Sequence, residues 1–392
     1  MLEILRQRDE LMCCGCNACA LICPSKCIQM ELDEEGFSYP ILKGDCISCG
    51  LCDKVCPILN SNIQNDYDSE TYVGWTNDSK SRLNSSSGGI FSVIALEVLN
   101  HGGVVFGAYL DYDQVYHIGI DSKNDIMKIQ GSKYVQSEIG DVFSIIKEKL
   151  RKGMLVYFVG TPCQVHGLNL FLKKKYENLL TSDLVCHGVP SSKLFKAFLN
   201  DLEVKYGGKV DSFNFRDKSK FGWSKTYSWI IKSDNDKKNK RYLLPSSLTS
   251  YGYGYDFDLT FRRVCYNCPF AKEQRCADIT LADCWGINKI KPDIPYRKGI
   301  SLVIVNSLKG DEFLNRLRSH CRLECIDKKL ISCYNSSLFS PAKLSIKRDL
   351  FYKEFVNNSY KYVADKYLTP YLRILLVLKY ALLYLKRLLI VK

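Results

Sequence analysis

The sequence predicts an α+β protein of mixed α/β character, led by a small cysteine-rich module and closed by an amphipathic helix. Three observations predict it. Ten of the 19 cysteines lie between Cys13 and Cys56. Beyond a polar stretch, Asn60–Thr71, short apolar runs alternate with helical patterns as far as about Asn306. After Pro370, a run of Leu, Ile, Val and Tyr is interrupted only by basic residues.

A chain of 392 residues is too long for one compact core. Its 46% hydrophobic and 25% charged residues are those of an ordinary globular protein. The expected segments are a module over 1–60, a linker over 61–71, a body over 72–150 and 151–310, a helical extension over 311–369 and a final helix over 370–392. Met1–Met12 mixes acidic and basic residues and lacks the apolar core of a signal peptide. The cysteines are therefore expected in a reducing, cytoplasmic setting, as metal ligands and not disulfides. The net charge is +13, yet residues 328–392 hold 13 Lys/Arg against Asp349, Glu354 and Asp365. Basic charge gathered at one end beside apolar residues fits the inner face of a membrane and gives no reason to expect nucleic acid.

Within the body, Val104–Leu110, Leu155–Gly160, Leu179–Cys186, Tyr227–Ile231 and Leu302–Val305 read as strands. Gly89–Asn100, Ile139–Lys149, Gln164–Lys174 and Lys193–Tyr206 read as helices. The lysine-rich Lys232–Arg241 reads as a hairpin tip. In the final helix, Arg373, Lys379, Lys386 and Arg387 fall within an arc of about 140° at 100° per residue. Its longest uncharged run, Tyr380–Leu385, is far short of the ~20 residues that span a bilayer. The helix either lies in a membrane interface or packs on the body or another subunit.

The chemistry is clearest in the module. Cys13-x2-Cys16-x2-Cys19-x3-Cys23-Pro24 is followed by Cys46-x2-Cys49-x2-Cys52-x3-Cys56-Pro57. Both runs have the bacterial ferredoxin spacing, in which the fourth cysteine of each serves the other cluster. The reading is two [4Fe-4S] clusters, one held by Cys13, Cys16, Cys19 and Cys56, the other by Cys46, Cys49, Cys52 and Cys23. Zinc sites instead show two separated C-x2-C pairs. Gly15 and Gly50 suit close approach of backbone to sulfur. Cys14 and Cys27 are spare thiols. A free-standing ferredoxin would end near residue 60, so the remainder calls for a second redox centre, and flavin is the common converter between single electrons and pairs.

Six further motifs are unusual for mere packing: Ser85–Ser92 (SSSGGIFS), Gly131–Ser137 (GSKYVQS), Gly160–Gly167 (GTPCQVHG), Asp183–Ser191 (DLVCHGVPS), Phe215–Trp223 (FRDKSKFGW) and Ala277–Gly286 (ADITLADCWG). Together they closely resemble the coenzyme F420 hydrogenase/dehydrogenase beta-subunit family over about residues 1–310. The resemblance implies a flavin-binding α/β body behind a two-cluster ferredoxin-like module. It implies FAD, electron exchange with a substrate such as a deazaflavin or one tied to surface polysaccharides, and a redox partner such as ferredoxin or a hydrogenase/dehydrogenase-type subunit. A non-catalytic electron-transfer subunit docking on a partner enzyme is the alternative.

Ser86, Ser87, Gly88 and Gly89 are candidates to cradle a phosphate at a helix start, or Ser87 simply caps that helix. Ser132, Lys133 and Tyr134 are candidates for phosphate or flavin edges, with Lys133 otherwise a solvated charge. Thr161, Cys163 and Gln164 follow a strand, where ligands of α/β folds collect. Cys163 and His187 are candidate catalytic residues, against a small buried hydrophobe and a structural histidine. Cys265, Cys268 and Cys276, with Cys163 or Cys186, could hold a third [4Fe-4S] cluster or zinc, or be free thiols. Arg216, Asp217 and Lys218 form either a clamp for an acidic ligand or a turn salt bridge. Ala282 stands where the family pattern has glycine, and alanine does not readily take a positive φ. Cys284 adds a thiol expected near the third site.

Overall fold

The computed structural model describes residues 12–232 and 239–368. The expected helix over 370–392 and most of the lysine-rich hairpin tip lie outside the described residues.

In the module, β1 (Ile28–Leu32) and β2 (Ser38–Leu42) form an antiparallel hairpin. Its turn is closed by Asp33, whose Oδ1 accepts from the Phe37 N–H at 2.8 Å. Two short helices, Ala18–Ile22 and Leu51–Lys54, follow the cysteine loops.

The body is built on one mixed sheet. In chain order its strands are β3 (Glu70–Thr76), β4 (Val104–Asp111), β5 (Gln114–Ile120), β6 (Ser137–Glu138), β7 (Val156–Gly160), β8 (Leu179–Leu184), β12 (Ile279–Asp283), β13 (Ser301–Val305) and β14 (Cys321–Cys325). They lie in the order β14-β3-β13-β12-β8-β7-β4-β5-β6. At its centre β12, β8, β7 and β4 are parallel neighbours. β7 and β13 are buried along their whole length, as expected for apolar runs covered on both faces.

Alternation along β7 sorts the two faces. Tyr157 joins the helix Ile90–Asn100 in one core, whereas Val156 and Phe158 join the helices Val142–Arg151 and Pro162–Leu172 in the other. That second core also takes in Cys14, Cys16, Ala18 and Val55, so the module packs on the same face of the sheet.

One expected strand lies outside the main sheet, and one expectation is corrected. Tyr227–Ile231 belongs to a separate antiparallel sheet of β9 (Lys209–Asn214), β10 (Thr226–Lys232) and β11 (Lys240–Pro245). Its Trp229 and Tyr227 pack with Phe195 and Phe198 of the helix Ser192–Tyr206, away from the main sheet. The segment 311–369, expected to be helical, also supplies β14, because Cys321 and Leu323 pack against the apolar face beside β3. The polar stretch after the module is tied down, since Asn65 Nδ2 donates to Arg275 O at 3.2 Å and Asn306 O at 2.9 Å.

Arg262 fastens module to body. Fully buried, it donates to Cys13 O at 2.6 Å, Ser38 O at 2.8 Å and Gln136 Oε1 at 3.0 Å. Its guanidinium lies 4.1 Å from the Tyr39 ring centroid. Arg262→Ala strands two half-buried carbonyls and the Gln136 side chain and is expected to cost about 3 kcal/mol. Urea denaturation of the variant should show this as a lower midpoint.

Candidate functional site

The two cysteine loops repeat one backbone shape. Gly15 and Asn17 have φ of 70° and 65°, and the equivalent Ser48 and Gly50 have 54° and 68°. In each loop an N–H turns back on the first cysteine: Gly15 N–H to Cys13 Sγ at 3.3 Å, Ser48 N–H to Cys46 Sγ at 3.4 Å. Left-handed residues at matching positions wrap the chain so that amides face sulfur.

Cys56 reaches the first loop. Burial, then the charges of Cys13 and Cys56, push the Cys19 thiol well above its usual range. Burial, with Cys13 adding, raises Cys56 to about 11. Cys23 lies by the second loop, 3.4 Å from Cys27, which also faces Cys46. Against burial, hydrogen bonds from Ser25 and Cys27 draw Cys23 down to about 7. Among the described residues no three His, Cys, Asp or Glu side chains converge on a point that would hold a single ion. A four-iron cube takes its thiolates on a wider frame, and its positive core relieves the repulsion that raises crowded thiols. The all-thiol donor set in two matching loops, with Cys56 near the first and Cys23 near the second, is of the kind such a cube takes.

The first loop backs onto a cavity at the C-terminal ends of β7, β8 and β12, lined by Cys14, the Ser85–Ser87 loop, Gly131–Ser137, Thr161–Gln164 and Cys186–Val189. Ser87 does not cap a helix: its hydroxyl donates to Ile300 O at 2.6 Å. The helix Ile90–Asn100 starts instead at Gly89, with φ of 90° and no side-chain cap, which leaves its first N–H groups without that partner. Gly88 is needed for closeness, since a Cβ there would lie 2.2 Å from Gly74 O and 2.7 Å from Ser301 N. Ser86 Oγ accepts from the Ser132 N–H at 2.7 Å, which joins two of the expected motifs.

Lys133 is not a solvated charge. Burial draws it down to about 7, and its Nζ donates to Gln130 O at 3.0 Å. An anionic ligand would restore its charge. Tyr134 OH accepts from Arg216 at 2.9 Å. Thr161 and Gln164 cap the helix Pro162–Leu172 reciprocally, the Thr161 N–H donating to Gln164 Oε1 at 2.9 Å. Their polar atoms are largely spent on the helix start.

The Arg216, Asp217 and Lys218 triplet proves internal. Although burial opposes its charge, Asp283 holds the Arg216 guanidinium protonated, at 2.5 and 3.0 Å. Asp217 accepts from Ser219 and pairs with Arg241. Lys218 Nζ donates to Arg82 O, Ser87 O and Lys298 O at 2.6–2.8 Å, bracing the serine loop from behind. Trp223 and Trp285 stack at 4.7 Å beside it.

Cys163, Cys186, Cys265 and Cys268 all line the cavity. Cys276 does not: its thiol donates to Pro162 O at 3.6 Å. Sequence spacing favoured Cys276, but the chain between Cys268 and Cys276 is turned by Arg275, buried and donating to Phe270 O and Leu184 O. His187 lines the cavity too, its Nδ1 2.8 Å from Ser337 Oγ and its Nε2 2.7 Å from Asp258. Ala282 sits in β12 opposite Leu302, where no positive φ is needed. Cys284, expected near the third site, is buried among Val73, Ile287 and Ile300 on another side. Gln136 lies in the Gly131–Ser137 motif but was given no role there, and His117 falls in no motif. His117 Nε2 is 3.0 Å from Val159 O, and burial takes its ring down to about 4, so it is neutral.

Residues 153–329 match the family described as the C terminus of the beta subunit of coenzyme F420 hydrogenase/dehydrogenase. A chain of the F420-reducing [NiFe] hydrogenase complex from Methanosarcina barkeri, in a xenon-derivatised structure, superposes with a TM-score of 0.43 at 16% identity, over 76% of this chain and 91% of that one. No curated protein matches. Among the described residues no helix is long and apolar enough to cross a membrane.

Gly88→Ala sets a Cβ against two backbone atoms that cannot swing aside. The expected cost is about 3 kcal/mol, read as a lower urea midpoint, with Gly44→Ala, whose Cβ meets nothing within 4 Å but whose φ is 103°, as the control for backbone strain alone.

Proposed function

Because residues 153–329 match the C terminus of the coenzyme F420 hydrogenase/dehydrogenase beta-subunit family, we propose that this chain is an iron–sulfur flavoprotein oxidoreductase. It passes electrons between ferredoxin-type clusters and an organic substrate in the cavity. The observation that carries the reading is the pair of matching sulfur-facing loops, one of which backs onto a cavity walled by four more cysteines.

Cys13, Cys16, Cys19 and Cys56 would hold one [4Fe-4S] cluster, and Cys46, Cys49, Cys52 and Cys23 the second. Cys163, Cys186, Cys265 and Cys268 would hold a third at the cavity. FAD would lie along the Ser86–Gly89 and Ser132–Tyr134 walls, its phosphates met by Lys133 and the bare start of the helix Ile90–Asn100. Bound there, clusters handle single electrons and a flavin handles pairs. His187, steadied by Ser337 and Asp258, faces the same space as a candidate proton donor. The substrate is a deazaflavin or a compound of surface-polysaccharide metabolism, and the redox partner is a ferredoxin or a hydrogenase/dehydrogenase-type subunit.

A second reading is an electron-carrying subunit without a substrate site of its own. Exposure of Cys49 and Ile47 favours docking at that loop. Flavin reduction without turnover, until a partner is added, would select this reading.

Anaerobically reconstituted protein should contain about twelve irons, four per cluster, together with flavin absorbance. Cys265→Ala/Cys268→Ala should leave about eight irons. Eight irons and no flavin in the parent protein would sink the proposal. Lys133→Met should weaken FAD binding by roughly tenfold, measured by fluorescence titration.

A further inference from the structure

We propose that Arg275 is the positioning residue of the four-cysteine site at the cavity: its guanidinium ties the chain beside Cys268 to the chain beside Cys186. The inference rests on the reading that Cys163, Cys186, Cys265 and Cys268 hold a cluster.

Those cysteines come from three separate stretches of chain. Cys163 stands in the first turn of the helix Pro162–Leu172. Cys186 follows the end of β8. Cys265 lies in the short helical turn Arg263–Asn267, and Cys268 closes that turn. A cluster takes its thiolates in one fixed arrangement, so the three stretches must be held to one another, and groups behind the ligands do such work.

Arg275 reaches two of the stretches from one point. Its Nη1 donates to Phe270 O at 3.1 Å, just past Cys268. Its Nη2 donates to Leu184 O at 2.8 Å, just before Cys186. Phe270 and Leu184 both line the cavity. The next residue reaches the third stretch, because the Cys276 thiol donates to Pro162 O at 3.6 Å, directly before Cys163.

The guanidinium is itself fixed. It is buried, with Nη2 3.1 Å from Asp183 Oδ1. Asp183 is fully buried on β8, and its Oδ1 also accepts from Thr280 Oγ1 at 2.6 Å. From outside, Asn65 Nδ2 donates to Arg275 O at 3.2 Å. A buried ion pair alone is weak evidence for stability, since desolvation offsets the attraction. An apolar pair could fill the same space, but it could not donate to carbonyls of two loops at once. A flat guanidinium fork can, and the point charge of a lysine reproduces it poorly.

The experiment is iron release from the full-length, anaerobically reconstituted protein to a ferrous-iron chelator, followed by absorbance. Arg275→Lys keeps a cation for Asp183 but loses the fork. It should release about four irons roughly tenfold faster than the parent protein, while the other irons leave at the parent rate. EPR of the reduced variant should keep the signals of the two ferredoxin-type clusters and alter the third. Arg275→Met/Asp183→Asn removes both charges together; it should show the same selective loss and carries the test if lysine does not fold. Trp229→Leu, in the separate sheet, controls for general destabilisation and should release its irons evenly. Release unchanged in the Arg275 variants would overturn the inference. So would equal acceleration of all the irons, or the same selective loss in Trp229→Leu. A parent protein with only about eight irons overturns the underlying third cluster instead, and the iron count of the parent alone reveals it.

Discussion

The arrangement turns on one buried cation. Arg262 reaches out of the body and takes the carbonyls of Cys13 and Ser38, one from the first cysteine loop and one from the hairpin. A guanidinium in such a place is costly unless its donors are met, and here backbone oxygens, Gln136 and the faces of Tyr39 and Phe37 meet them. The thiols of Cys13, Cys14 and Cys265 lie close enough to add to its stabilisation after Tyr39, against the opposing effect of burial. The same charge that docks the module thus lies close to thiols of both the first loop and the cavity wall. Glu35 and Arg348 repeat the principle at the hairpin turn, tying it to the C-terminal extension.

From this anchor the order of the parts follows. The sheet offers one face to the helix Ile90–Asn100 and the other to the module. Its parallel centre brings three strand ends to one edge, where loops can gather around a ligand. The serine loop is held there by Lys218 from behind and Arg216 from the side, both spending their donors on backbone and on Asp283. These two cations shape the cavity wall without being free to meet an anion. Lys133 differs, because its two carbonyl partners leave one ammonium proton unassigned.

Much of this was legible in the sequence where local rules dominate. Cysteine spacing located the two loops, and apolar runs located β4, β7, β8 and β13. What was not legible depends on distant contact. Tyr227–Ile231 reads as a strand, but no local signal says that its aromatic side chains pack on Phe195 and Phe198 and not on the main sheet. Spacing put Cys276 with Cys265 and Cys268, but it is not among the cysteines that line the cavity, whereas Cys186, just beyond β8 and offered by the sequence as a fourth, is. The Arg216 triplet looked like a ligand clamp because three charged residues adjoin, yet each finds its partners inside the protein. His117 belongs to no motif and Gln136 carried no role within its own, and only the pairing of β4 with β5 and of the first loop with the body gives them meaning.

The two cysteine loops share one shape but not one environment. Cys16 and Cys19 are sealed beneath the body, whereas Cys49 is exposed and the loop from Lys43 to Cys49 stands largely in solvent. Oxidation of thiolates follows access. Dioxygen or peroxide arriving from solvent therefore meets the outer loop first, and the inner one is shielded by protein on its far side. The duplicated motif is thus exposed unequally: a solvent-borne oxidant reaches the sulfurs of the outer loop first, and those nearest the cavity last.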